Sequence, residues 1–162
     1  MSNFEKNLEQ ALNNAKRLTD KILIDGKLIS AQTNNKIPVL NPSTGDNIGS
    51  APQCDKNDVN IAVESAYKAF QKWKKIPARE RGKMVAAGAK RLEERKSEIE
   101  TLLSLDTGNA LRTQAIPETG ASIELTNMFA GLSGELKGEN YPTNIPNSIH
   151  YTTRDPIGVV CA

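Results

Sequence analysis

The chain has 162 residues, of which 25% are charged and 38% apolar, a composition typical of a folded globular protein and not of a disordered tail or a membrane protein. Its 21 basic and 19 acidic side chains are interspersed and leave a net charge of +2, so no run of like charge predicts a nucleic-acid or lipid partner. No apolar run reaches the roughly 20 residues of a membrane span, and the polar, acidic N-terminal segment argues against a signal peptide and a mitochondrial leader, so we expect a cytoplasmic protein.

The N-terminal segment, residues 1–21, is predicted to contain one amphipathic helix. Apolar residues recur at three- and four-residue spacing from Phe4 to Leu18, which places them on one face of a helix. Because such a face is buried against another element, we expect a docking helix.

Small antiparallel strands are predicted next. Two apolar runs, 22–24 and 27–29, flank Asp25-Gly26, and this arrangement is a strong hairpin signal. A turn-rich stretch at 41–45 then precedes another short strand at 47–51.

Three long helices are predicted in the middle of the chain. Asp55 is expected to cap the first, since its side chain can accept from the exposed first-turn amides, and Pro77 excludes continuation past Ile76. The second is expected as one helix over 79–105, ended by Gly108 because glycine adopts the left-handed conformation of helix ends. The third is expected to start near Pro117.

Apolar stripes define the faces that these helices are expected to bury. The stripes consist of Val59, Ala62, Val63, Ala66, Phe70 and Trp73; of Met84, Val85, Ala89, Leu92, Ile99, Leu102 and Leu103; and of Ala121, Leu125, Met128, Leu132 and Leu136. Glu93, Glu94, Arg95, Lys96 and Glu98 are expected to be solvated. Close backbone packing is expected at one or more of Gly120, Gly131 and Gly134, because a glycine inside a helix costs up to about 1 kcal/mol relative to alanine.

Two strands are predicted at the C-terminus. Residues 148–154 alternate in character, which indicates a strand with two unlike faces. The continuous apolar run after Pro156 is typical of a strand buried in a parallel sheet. Because such a strand needs neighbours for its backbone polar groups, we expect that part of the sheet is missing from this chain.

Several short strings follow one another in a fixed order over residues 22–162. They are Asp25-Gly26-Lys27, Asn41-Pro42-Ser43-Thr44-Gly45, Ala62 to Trp73, Ala78-Arg79-Glu80-Arg81, Asp106-Thr107-Gly108, Ala130-Gly131, Gly138-Glu139 with Pro142, and Arg154-Asp155-Pro156-Ile157-Gly158-Val159-Val160. In this order and at these separations they resemble the N-terminal third of the aldehyde dehydrogenase superfamily.

The resemblance implies an α/β fold: an N-terminal fragment of the aldehyde dehydrogenase fold with mainly long helices and small antiparallel strands, ending in the first strand of a Rossmann-like cofactor domain. It divides the chain into an N-terminal helix at 1–21, a helical and small-strand part of the cofactor domain at 22–140, an oligomerisation strand segment at 141–155, and the truncated start of the first cofactor-domain strand at 156–162.

The resemblance also implies a chemistry. In this family a cysteine thiolate captures the aldehyde, the adduct gives a hydride to NAD or NADP, and water activated by a glutamate releases the carboxylate. All of these groups come later in the family's order than position 162. The resemblance therefore implies no catalytic, cofactor-binding or metal-binding residue here, an inactive isolated chain that binds no cofactor tightly, and, in the complete enzyme, an aldehyde substrate and a homodimer or homotetramer formed through residues 148–154.

Three side chains that could be read as catalytic are expected to be structural. Cys161 falls in an apolar run, which disfavours a thiolate and favours a buried packing residue. Cys54 is expected in a loop beside the negative charge of Asp55, and the wide separation of the two cysteines indicates neither a zinc site nor a disulfide. His150 is the only histidine and is expected on a strand surface.

Other possible sites are expected to be solvated or structural. Glu118 with Glu124, and Glu93 with Glu94, lie on helical stretches with basic neighbours, as is typical of a solvated face. The segment 131–134 has no following Lys-Ser/Thr, which excludes a phosphate loop.

Two alternative functions stay open. The chain could be a natural interaction or assembly module that binds a full-length partner, and an open reading frame that continues past Ala162 would argue against this. It could also belong to another activity of the superfamily, such as a semialdehyde, betaine-aldehyde or acylating dehydrogenase.

Overall fold

The computed structural model describes residues 3–161, which form five α-helices and three two-stranded antiparallel sheets. The α-helices are α1 (Asn3–Leu18), α2 (Lys56–Trp73), α3 (Ala78–Glu94), α4 (Lys96–Thr107) and α5 (Ile116–Gly131). The strands are β1 (Lys21–Ile24), β2 (Lys27–Ser30), β3 (Lys36–Leu40), β4 (Asn47–Pro52), β5 (Asn140–Tyr141) and β6 (His150–Tyr151). Met1 and Ser2 of the predicted N-terminal segment, the side chain of Phe4, and Ala162 of the predicted last strand lie outside the described residues.

Helix α1 confirms the predicted N-terminal helix. It packs against α4 and β4, and Ala11 on its inner face is fully buried. Asp20, just after the helix, adopts a positive φ of 58°, which turns the chain into β1.

The hairpin predicted around Asp25-Gly26 and the antiparallel strand predicted at 47–51 are confirmed. Strands β1 and β2 pair with Ile24 opposite Lys27, and Asp25 and Gly26 have φ values of 51° and 71°, the positive angles that a tight hairpin turn requires. Strands β3 and β4 pair in the same antiparallel sense, with a bulge after Val39.

Helix α2 begins as predicted but does not bury its predicted stripe. Asp55 caps it through a capping box with Asp58. Val59 and Val63 are 53% and 49% exposed, and Trp73 is 39% exposed. The expectation of a buried stripe is therefore wrong for the described residues, which place little more than β1 against this helix.

The single helix predicted over 79–105 is wrong, because the chain breaks into α3 and α4 at Arg95. Arg95 has φ −111° and ψ 12°, outside the α-helical region. The break turns Glu98, which was predicted to be solvated, into the protein, where it is 8% exposed. The predicted stop is confirmed, since Gly108 ends α4 in the left-handed conformation with φ 75°.

The predicted start of the third helix near Pro117 is confirmed, since α5 begins at Ile116, but α5 ends at Gly131, before Leu132 and Leu136 of its predicted stripe. A π-helix, Leu111–Ala115, leads directly into α5, and a 3₁₀ helix, Leu132–Gly134, follows it. Its predicted inner stripe is exposed, with Leu125 at 51% and Met128 at 48%, whereas Ile123 on another side is buried.

Close helix packing occurs at a glycine that was not predicted. Atoms around a Cβ placed on Gly120 or Gly134 are no closer than 3.6 Å, and Gly131 faces open space, so the predicted close approach at these glycines is wrong. A Cβ on Gly82 of α3 would overlap the Ser133 hydroxyl and the Ala130 carbonyl. Helices α3 and α5 therefore meet through Gly82.

The C-terminal segment has less regular structure than predicted. The strand expected over 148–154 is reduced to β6, which pairs with β5. The strand expected over 156–162 is not formed in its described part, where Ile157 is 94% exposed and Gly158 has φ 122°. A strand needs hydrogen-bonded neighbours, and the described residues supply none to this segment.

The buried apolar side chains are alanines, apart from Ile123. The apolar residues that are fully or nearly buried are Ala11, Ala89, Ala115, Ile123 and Ala130. Because the larger apolar side chains stay partly exposed, the described residues bury little of the apolar surface that usually stabilises a domain.

Candidate functional site

An apolar cleft of about 380 Å³ lies between α1, the β3–β4 hairpin and α4. Its lining residues are Ala15, Leu18, Thr19, Val39, Ile48, Gly49, Ser50, Ile99, Leu102, Leu103 and Asp106. Asp106 is the one ionisable side chain among them, and the hydroxyl of Thr19 is already bonded to the Ala15 carbonyl at 3.0 Å. The cleft thus offers apolar contact and one carboxylate, without a nucleophile paired to a base.

A polar cluster around the nearly buried Glu98 carboxylate borders the cleft where α1 meets α4. The Glu98 carboxylate accepts two hydrogen bonds from the Arg95 guanidinium, at 2.6 and 3.0 Å, and a third from the Asn14 side-chain amide of α1. The hydrogen bond to Glu98 and then its negative charge raise the pKa of Arg95 above its ordinary value. The cluster keeps a nearly buried carboxylate fully paired.

A second polar cluster fixes the chain at the end of α1. The Asp20 carboxylate accepts from the Lys36 ammonium and, at 2.7 Å, from the Ser50 hydroxyl, while the Asp20 amide donates to the Ser50 carbonyl at 3.0 Å. The hydrogen bond from Lys36, followed by that from Ser50, lowers the pKa of Asp20. This cluster ties α1 and β1 to the β3–β4 hairpin.

The two cysteines and the histidine lie on separate elements. Cys54 is exposed in the loop before α2, as predicted. Cys161 is exposed as well, so the expected burial of its side chain is wrong, because the strand that would bury it is not formed. His150 lies exposed on β6, as predicted. None of the three has a side-chain hydrogen bond within residues 3–161 that could activate it.

The carboxylates named as possible pairs lie on solvated helix surfaces. Glu94 pairs with Arg91 at 2.9 Å, and Glu93 lies 3.8 Å from the Lys96 ammonium. Glu118 accepts from the Asn109 amide at 3.4 Å. Across residues 3–161 no group of three or more His, Cys, Asp or Glu side chains is placed to hold a metal ion, and no helix there combines the length and apolarity needed to cross a membrane.

Sequence patterns did not indicate the Glu98 cluster. Glu98 stands in a charged run and was assigned to the solvated face, while its partner Asn14 is 84 residues away. The spacing of Arg95 and Glu98 signals only a local ion pair. Burial by α1 is a long-range contact that such a pattern does not contain.

Comparison with known proteins identifies the family of this chain. The model described as Aldehyde dehydrogenase family matches residues 28–162. Aldehyde dehydrogenase tropH of Talaromyces stipitatus is 38% identical over 141 residues, which cover 86% of this chain and 27% of that protein. Phenylacetaldehyde dehydrogenase of Pseudomonas fluorescens is 34% identical over 153 residues, which cover 90% of this chain and 30% of that protein.

Solved structures support the same family. The crystal structure of betaine aldehyde dehydrogenase from Staphylococcus aureus in complex with NAD⁺ superposes with a TM-score of 0.80 at 27% identity, covering 88% of this chain and 29% of that one. The chain therefore spans less than a third of the length of these relatives. Its helices and small antiparallel strands correspond to one part of their fold.

Proposed function

Because the chain belongs to the aldehyde dehydrogenase family, an oxidoreductase family, we propose that it forms the N-terminal part of an enzyme that oxidises an aldehyde to a carboxylate with NAD or NADP. The observation that carries the proposal is the match over residues 28–162 together with coverage of only 27% to 30% of the relatives. In this proposal residues 22–140 supply outer helices and small strands, 141–155 an assembly strand, and 156–162 the first strand of the cofactor domain.

The described residues act as scaffold in this proposal. Their cysteines and histidine are exposed and on separate elements, and the apolar cleft contains no thiol or imidazole. We assign NAD or NADP only to the complete enzyme, since the matching structure that holds NAD⁺ is more than three times longer than this chain. The aldehyde stays unassigned, because the relatives act on different ones.

The activity test compares this chain with a protein extended to the full length of its relatives. We expect the extended protein, mixed with NAD or NADP and phenylacetaldehyde, benzaldehyde or betaine aldehyde, to produce reduced cofactor and the corresponding acid. The chain of residues 1–162 should give no signal above buffer. Turnover by that chain, lost in Cys161→Ala and kept in the matched variant Cys54→Ala, would overturn the scaffold role.

Assembly through the β5–β6 hairpin is a further part of the proposal. Ile149 and Tyr151 are 78% and 68% exposed, and β6 pairs on one side only among the described strands. The Thr152 amide donates to the Glu139 carbonyl at 2.9 Å. Because inward and outward amides alternate along an antiparallel strand, the amides of Tyr151 and Thr153 point to the free edge.

Proline substitution tests this edge directly. Tyr151→Pro removes a donor on the free edge and leaves the Thr152 bond to β5, so in the full-length enzyme it should convert a dimer or tetramer to smaller species. Tyr151→Ala is the matched control, because it removes the side chain and keeps the amide. An unchanged mass of the folded Tyr151→Pro enzyme in light scattering would refute the assembly role.

A non-enzymatic module is the second candidate. The exposed apolar side chains on α5, after it and in the terminal segment, with Phe129 at 63%, Leu136 at 73% and Val160 at 71%, would suit binding to a full-length partner of the same fold. Co-purification of residues 1–162 with the full-length protein at a fixed stoichiometry, without loss of activity, would favour this function over the first.

A further inference from the structure

We draw no further inference here: the strongest candidate, the exposed apolar face of helix α2 around Val59, Val63 and Tyr67, carries none, because nothing in the structure shows what covers it.

Discussion

Replacing Asp58 by alanine should destabilise the start of α2 more than the same replacement of an exposed acidic residue on that helix. Asp58 is 3% exposed. Its carboxylate accepts from the Gln32 amide at 2.9 Å and from the Asp55 amide at 3.2 Å, while Asp55 in turn accepts from the Asp58 amide at 3.0 Å. One side chain therefore joins the capping box to the segment between β2 and β3.

The expected cost follows from these bonds. A hydrogen bond to a charged group contributes about 1.5 to 3 kcal/mol, and less where water reaches it, as it does at the half-buried Gln32 and Asp55 amides. Alanine has a higher helix propensity than aspartate, which offsets about 0.5 kcal/mol of this loss. We expect the free energy of opening at the start of α2 to fall by about 2 kcal/mol, which corresponds to roughly thirtyfold faster exchange of the Gln32 amide.

Amide exchange followed by NMR measures this change residue by residue, and Glu64→Ala is the matched control. Glu64 is an exposed acidic residue of the same helix, so its removal should change opening by less than about 0.5 kcal/mol. Asp58→Asn, which keeps one acceptor oxygen, should fall between the two. Equal exchange at Gln32 in Asp58→Ala and Glu64→Ala would refute the reasoning.

Two further perturbations test the packing and the charges. Gly82→Ala should destabilise the contact with Ala130 by about 1 to 3 kcal/mol, because overpacking outweighs the gain of about 1 kcal/mol in helix propensity; a higher midpoint of thermal unfolding would contradict this. Asp20 has a pKa lowered by Lys36, so its contribution to stability is present above the unfolded-state pKa and is lost as pH falls through the lower folded-state pKa. Asp20→Asn should therefore flatten the acid branch of a stability-against-pH curve, and an unchanged slope would contradict the assignment.

Local signals in the sequence predicted the ends of elements well. The turn at Asp25-Gly26, the cap at Asp55 and the stop at Gly108 were all predicted and are all present. Each depends on backbone conformations or side-chain bonds within a few residues. The physical cause and the sequence pattern therefore lie in the same short segment.

The features that the sequence did not predict depend on contacts between residues far apart in the chain. The break at Arg95 has no proline or glycine to mark it, and its effect is to turn Glu98 toward Asn14 of α1. Likewise, nothing near Gly82 in the sequence shows that Ala130 and Ser133 approach it. Charge runs and periodicity describe one element at a time, whereas these features belong to pairs of elements distant in sequence.

Helix α5 shows how a missing long-range contact affects the prediction of a buried face. Apolar periodicity selected the side with Leu125 and Met128, yet the described residues bury Ile123 and Ala130 against other sides and leave the selected side exposed. Large apolar side chains on more than one side of a helix are typical of an element that packs against more than one partner in a larger protein. The pattern correctly identified surface that requires burial, but it carried no information on which partner buries it. Since the relatives are more than three times as long, we infer that the exposed side of α5 is an internal surface of the complete fold.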